Sequence, residues 1–206
     1  MITESITSPG RLILASTSPR RKYLLENAGI AFTVMTRNVD ETPRSGEAPH
    51  AYVARMAAAK AAAVAADHPD AWVVGADTIG EIGGAILGKP GSRQGAFDML
   101  RTLSGTVHRV MTAFSLVCRE RNTHIDEVVS TDVIFKQLSD QEIEWYIGTG
   151  EPFDKAGAYA IQGRGSFLVK RINGSYTNVV GLPVCELVEI LIREQVIDMA
   201  ARKPVF

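Results

Sequence analysis

Two short stretches combine residue types that can do chemistry. Ser16-Thr17-Ser18-Pro19-Arg20-Arg21 places hydroxyls and two guanidiniums directly after the apolar run Leu12-Ile13-Leu14-Ala15. Val74-Gly75-Ala76-Asp77-Thr78 places a carboxylate at the end of a second apolar run. Free backbone N–H groups at a helix start attract anions, and the helix dipole adds to the attraction. Guanidiniums grip phosphate oxygens bidentately. In open α/β sheets a strand end is a common position for a catalytic acid, base or metal ligand. A cationic helix start facing a strand-end carboxylate suits a triphosphate, a metal ion and an attacking water, and therefore nucleotide hydrolysis. Each stretch also has a plainer reading: a Ser-Pro helix cap with solvent-facing arginines, and an Asx-turn opening a hairpin.

Further candidates lie between and beyond these two. Val53, Met56, Ala57 and Lys60 fall at i, i+3, i+4 and i+7 of an alanine-rich segment, so Lys60 shares an apolar stripe. A cation there either snorkels to the helix edge or reaches an anion. Lys89, before Pro90, is a loop cation within reach of a phosphate. The segment 148–165 is glycine-rich yet holds Asp154, Lys155, Tyr159 and Gln162, a composition suited to close approach to a ligand. Gln162 offers both a donor and an acceptor to a nucleobase edge. The four histidines form no HExxH or HxH spacing, and the chain has neither a GxSxG elbow nor a GxxxxGK[ST] loop. A zinc hydrolase, a serine hydrolase and a P-loop kinase are therefore excluded, and Gly163-Arg164-Gly165 is too short for a dinucleotide fingerprint.

These groups need a scaffold. Apolar runs predict strands at 11–16, 30–36 and 71–76, the last ending at Asp77. A hairpin of 78–82 and 85–87 is predicted around Gly83-Gly84. Helices are expected at 19–28, with Ser18 as N-cap and Gly29 after it, at 48–66, and at 92–104. Long strands follow at 107–118 and 125–135. The capping box Ser139-Asp140-Gln141-Glu142 opens a helix to about Ile147. A strand at 166–172, a turn at Asn173-Gly174 and a last helix around Val184–Ile192 complete the pattern. Alternating helices and strands with inserted hairpins predict an α/β fold: a mixed sheet with helices on its faces and a central cleft. The 206 residues, 46% of them hydrophobic, read as a single domain of two lobes, with 1–10 as an N-terminal extension. A near-cancelling balance of 22 basic and 23 acidic residues argues against a broad nucleic-acid-binding face. With neither a signal peptide nor a run of about 18 apolar residues, and with two widely spaced cysteines read as free thiols, the expected location is the cytoplasm without a membrane partner.

Taken in order, LILASTSPRR (12–21), VGADT (74–78), ILGKP (86–90), GTVHRVMTA (105–113), DKAGAYAIQG (154–163) and GSYTNVVGLP (174–183) resemble the Maf family of nucleoside triphosphate pyrophosphatases. The resemblance implies an elongated sheet similar to that of inosine triphosphate pyrophosphatases. It also implies a homodimer, and hydrolysis of a nucleoside triphosphate to monophosphate and pyrophosphate with Mg²⁺ or Mn²⁺. By position it carries over Asp77 as general base and metal ligand, with Glu41 of the Asp40-Glu41 pair as the second metal ligand. Ser16, Arg20, Arg21, Lys60 and Lys89 become phosphate contacts. Arg20, Thr78 and Gln162 match the branch associated with dTTP and UTP. A branch acting on 7-methyl-GTP differs there, and its cationic base favours an aromatic and a carboxylate over the neutral amide and extra cation found here. Alternatives are a nucleotide-binding regulator of division or septation, and a pyrophosphatase for another modified nucleotide.

Overall fold

The computed structural model describes residues 11–198, so the expected extension at 1–10 lies outside the described residues. The apolar run after Arg11 forms β1 (Leu12–Leu14), buried along its whole length. It lies parallel to β2 (Thr33–Val34) on one side and to β3 (Trp72–Ile82) on the other. From β3 onward the sheet is antiparallel: β5 (Val107–Cys118) pairs with β3, β6 (Thr123–Phe135) with β5, and β7 (Val169–Asn173) with β6. The order is β2-β1-β3-β5-β6-β7, with β4 (Ala85–Leu87) folding back on the end of β3. This is the mixed sheet expected from the sequence.

Alternation along β3 sends successive side chains to opposite faces. Val73 joins Ile13, Ala61 and Val64 under α2 (Pro49–Ala65). Val74 and Ala76 join Leu24, Leu25, Leu187 and Leu191 under α1 (Pro19–Asn27) and α6 (Val184–Arg193). A second apolar body gathers Leu100 of α3 (Arg93–Leu103), Ile143 and Tyr146 of α4 (Asp140–Gly148), and Val133 and Phe135 of β6. Val180 of the body under α1 and α6 and Val110 and Tyr159 of this second body line a shared cavity.

Local signals account for most of the elements. Ser92 caps α3 through a bond from the Gly95 N–H, and Ser139 with Glu142 forms both halves of the capping box. Three expectations are corrected. The strand expected to end at Asp77 runs on to Ile82, because β5 pairs with β3 continuously from Val73 to Glu81. The strand expected at 30–36 shrinks to Thr33–Val34, an exposed edge whose one neighbour is the short β1. The strand expected from 166 starts at Val169, since Gly163–Leu168 winds into a 3-10 turn. A helix not foreseen, α5 (Tyr176–Val180), follows the 173–174 turn, capped by Ser175 through the Asn178 N–H. Among the described residues no helix is long and apolar enough to cross a membrane.

Candidate functional site

The edge of β3 that faces β1 is covered in two pieces. β1 pairs with residues 72–74 and β4 with 80–82, which leaves 75–79 open between them. Asp77 and Thr78 stand in the middle of this gap. The site is therefore built at an uncovered strand edge, not at a strand end, and the two side chains point to opposite faces of the sheet.

On the α1 face, β1 ends and the chain turns at Ser16–Ser18 into α1. Ser18 occupies the N-cap position but makes no side-chain capping bond; the Ser18 N–H goes instead to Ser16 Oγ at 3.2 Å. Ser16 is buried and also accepts from Arg21 Nη1 at 3.0 Å. Arg21 itself turns inward and is buried. Its Nε donates to the Gly181 carbonyl at 2.8 Å and its Nη2 to Thr78 Oγ1 at 3.0 Å. Burial pulls its pKa below the ordinary guanidinium value against the opposing field of Asp77. Three protein acceptors occupy Arg21, leaving two of its five N–H groups for a ligand.

Behind Thr78 lies a buried polar network. Thr112 Oγ1 donates to the Asn178 carbonyl at 2.9 Å, while Asn178 Oδ1 accepts the Thr112 N–H at 3.0 Å. Asn178 Nδ2 donates to the Val110 carbonyl and to Thr131 Oγ1. The 2.9 Å contact between Thr78 and Thr112 hydroxyls therefore has a direction. Thr112 has spent its one proton on Asn178, so Thr78 donates and Thr112 accepts. With its proton committed and one lone pair taken by Arg21, Thr78 can offer a ligand only an acceptor. Thr112, Asn178 and the Gly181 carbonyl were not among the sequence candidates. They fall inside the quoted motifs, and the available signal was polar residues within otherwise apolar runs.

Thr78 lines a cavity of about 300 Å³ with Arg20, Arg21, Lys89, Lys155 and Gln162. Leu87 and Tyr159, which pack with the second apolar body, also line it. The structure thus brings five sequence candidates, Arg20, Arg21, Thr78, Lys89 and Gln162, into one cavity. It adds Asp154 and Lys155, which the sequence marked only as part of a glycine-rich loop.

On the α2 face, Lys60 Nζ lies 2.8 Å from Asp77 Oδ1 and 2.7 Å from Glu41 Oε1. The cation on the apolar stripe of α2 thus reaches anions. Burial works against its charge, but the two carboxylates outweigh that and raise its pKa. The loop bearing Glu41 is strapped to α2 by Tyr52 Oη, which donates to the Glu41 carbonyl, and by Arg55, which bonds Glu47 bidentately at 2.6 Å and donates to the Thr42 carbonyl. Asp40, the other half of the acidic pair, accepts the Thr42 N–H at 2.9 Å instead of joining Lys60.

Two carboxylates converging on one ammonium provide oxygen donors that suit a hard divalent cation. No group of three or more His, Cys, Asp or Glu side chains is gathered among the described residues. An ion held by Glu41 and Asp77 would thus take its other ligands from water and phosphate, which is ordinary for Mg²⁺.

Residues 11–194 match the family model described as Maf-like protein. A dTTP/UTP pyrophosphatase of Geobacter sulfurreducens is 52% identical over 184 residues, covering 89% of this chain and 96% of its own. One from Syntrophus aciditrophicus is 49% identical over 181 residues, covering 88% of each chain. One from Myxococcus xanthus is 52% identical over 182 residues, covering 88% of this chain and 91% of its own. A solved chain described as the structure of the Staphylococcus aureus Ham1 protein overlaps at a TM-score of 0.42 and 15% identity, over 61% of this chain and 71% of that one, a likeness too partial to bear on chemistry. On the family match and these identities, the chain belongs to the Maf-like protein family.

Proposed function

We propose that the chain hydrolyses dTTP and UTP to the monophosphate and pyrophosphate. The observation that carries this is the open edge of β3. A cavity with Lys89, Arg20 and the amide of Gln162 lies on one side of it, and the Asp77–Lys60–Glu41 cluster lies one residue away on the other. Relatives about half identical over most of the chain carry the name of this activity.

In this reading the base enters the cavity. Uracil and thymine present an N3–H donor between two carbonyl acceptors. Thr78, held as an acceptor, and Gln162, with an amide offering both roles, match that edge. The cations lining the cavity disfavour a positively charged 7-methylguanine. Arg20, Arg21, Lys60 and Lys89 draw in the triphosphate, with Ser16 bracing Arg21 from beneath. Asp77 takes a proton from water, whose oxygen forms a bond to the α-phosphorus as the bond from that phosphorus to the β-phosphate oxygen breaks. The cations stabilise the charge on the departing pyrophosphate. A Mg²⁺ or Mn²⁺ ion held by Glu41 and Asp77 supplies further positive charge to the phosphate oxygens when bound. The reading includes a homodimer acting in the cytoplasm, which light scattering of the purified chain tests for assembly.

The test is pyrophosphate release from a panel of nucleoside triphosphates with Mg²⁺ or Mn²⁺, with Asp77→Asn and EDTA-treated samples in parallel. Asp77→Asn should lose about a hundred- to ten-thousandfold in turnover while keeping nucleotide binding. Near-normal turnover in that variant removes Asp77 as the base. Turnover that persists in EDTA removes the divalent ion.

A further inference from the structure

Gln162 lines the cavity and is read as a base contact, and its side chain makes no hydrogen bond to protein among the described residues, so its aim depends on its backbone. That backbone is held from both sides by one pair of side chains. Tyr146 of α4, fully buried, donates its hydroxyl to Glu151 Oε1 at 2.8 Å and accepts the Ala160 N–H at 3.2 Å. Glu151 Oε1 also accepts the Gly165 N–H at 3.1 Å, and Oε2 accepts the Arg164 N–H at 3.0 Å. The residues pinned are thus two before, two after and three after Gln162. The glycines fit this wrapping. A Cβ at Gly163, where φ is +73°, would come within 2.8 Å of Glu151 Oε2, and one at Gly165 within 2.6 Å of Tyr146 Oη. Glu151 is anchored in turn: its N–H bonds Thr149 Oγ1 and its carbonyl accepts from Lys155 Nζ.

We propose that Glu151 and Tyr146 are positioning residues that set base selectivity by clasping the loop that aims Gln162. The proposal rests on the reading of Gln162 as a base contact. Among the described residues the pair makes no hydrogen bond to Arg20, Arg21, Lys60, Lys89 or Asp77, so its loss should act on the base and leave the triphosphate end intact.

Glu151→Gln exchanges one acceptor oxygen for a donor against the loop N–H groups, and Tyr146→Phe strands only the Ala160 N–H. Each is assayed for kcat and KM with dTTP and with dGTP, and for inhibition by inorganic tripolyphosphate, which has no base. Expected are a KM for dTTP raised about tenfold, the scale of one lost hydrogen bond, and a fall of similar size in the dTTP-to-dGTP ratio of kcat/KM. The inhibition constant of tripolyphosphate should not change. Equal losses on both nucleotides together with weakened tripolyphosphate binding would overturn the proposal. Amide hydrogen exchange over 158–168 is measured on the same proteins. If the parent released no pyrophosphate from any nucleotide, the functional reading would fall, and exchange would still decide the clasp. Faster exchange confined to this segment upholds it, and unchanged exchange refutes it.

Discussion

The contact between α2 and β3 can be tested with one methyl group. Gly75 faces α2 with no side chain, and a Cβ there would lie 2.4 Å from the Ala57 carbonyl oxygen and 2.4 Å from the Ala61 nitrogen. Both are backbone atoms of a regular helix, so no rotamer change relieves the clash. To restore ordinary contact near 3.4 Å, α2 must withdraw from β3 by about 1 Å. Overpacking of this kind costs about 3 kcal/mol, at the upper end for an added methyl, and lowers Tm by roughly 6–12 °C in a chain of this size. The same displacement acts on chemistry. Lys60 sits on α2 one turn beyond Ala57 and 2.8 Å from Asp77, and a 1 Å retreat takes that pair beyond hydrogen-bond reach. Gly75→Ala should therefore lose stability and pyrophosphate release together, measured by thermal unfolding and by turnover at a temperature where the variant is still folded. Gly148→Ala, where an added Cβ meets nothing within 4 Å, is the control and should be neutral or stabilising by up to about 1 kcal/mol. If Gly75→Ala melted within about 2 °C of the parent and turned over normally, the close approach of helix and strand would not be what sets the Lys60–Asp77 pair.

His108 is buried, with Nε2 2.7 Å from Tyr159 Oη and Nδ1 without a hydrogen-bond partner among the described residues, and burial lowers its pKa to about 4. The unfolded chain, with an ordinary histidine near ~6.5, takes the proton first. Stability is thus complete above pH ~6.5 and falls by about 3 kcal/mol as pH drops toward 4; urea midpoints against pH should lose that component in His108→Gln. Arg21→Lys replaces a fork with a single ammonium that cannot serve Ser16, Thr78 and Gly181 together. Chemical denaturation should show a loss of about 2–4 kcal/mol, and a loss under 0.5 kcal/mol would show that the fork is dispensable. Ser139→Ala removes the N-cap of α4 and should cost about 1 kcal/mol with no change in turnover, read from paired melting and pyrophosphate assays.

Sequence alone carried the features with a local cause. The capping box at Ser139 and Glu142, the cap at Ser92 and the long β5–β6 hairpin all follow from neighbouring residues. Lys60 was legible as a misfit on an apolar stripe, and a misfit cation implies an anion. What escaped depends on partners distant in the chain. That Asp77 lies mid-strand is set by where β1 stops and by how far β5 continues, neither of which is written around residue 77. Arg20 and Arg21 are adjacent and alike and both line the cavity, yet Arg20 is half-buried while Arg21 is buried as a brace, because only Arg21 meets Gly181 and Thr78. Thr112 reads as a strand residue and Asn178 as part of the unassigned stretch after the 173–174 turn until tertiary structure closes a network through them. The clasp on the Gln162 loop escaped for the same reason: Tyr146 looks like a core aromatic, and its hydroxyl gains meaning only where Glu151 and Ala160 meet it.

The bond from Arg21 to the Gly181 carbonyl spans 160 residues. During synthesis the cationic helix start therefore emerges long before the carbonyl that orients it. At about 5–20 residues per second the delay is roughly ten to thirty seconds. Under the proposed function, a nascent chain carries through that interval the arginines assigned to the phosphates with no finished cavity around them. Nucleotide can then engage productively only after α5 and the turn at Gly181 have docked. Ligand thus stabilises the finished chain selectively, and intermediates that stop short of residue 181 gain nothing from a nucleotide-rich cell.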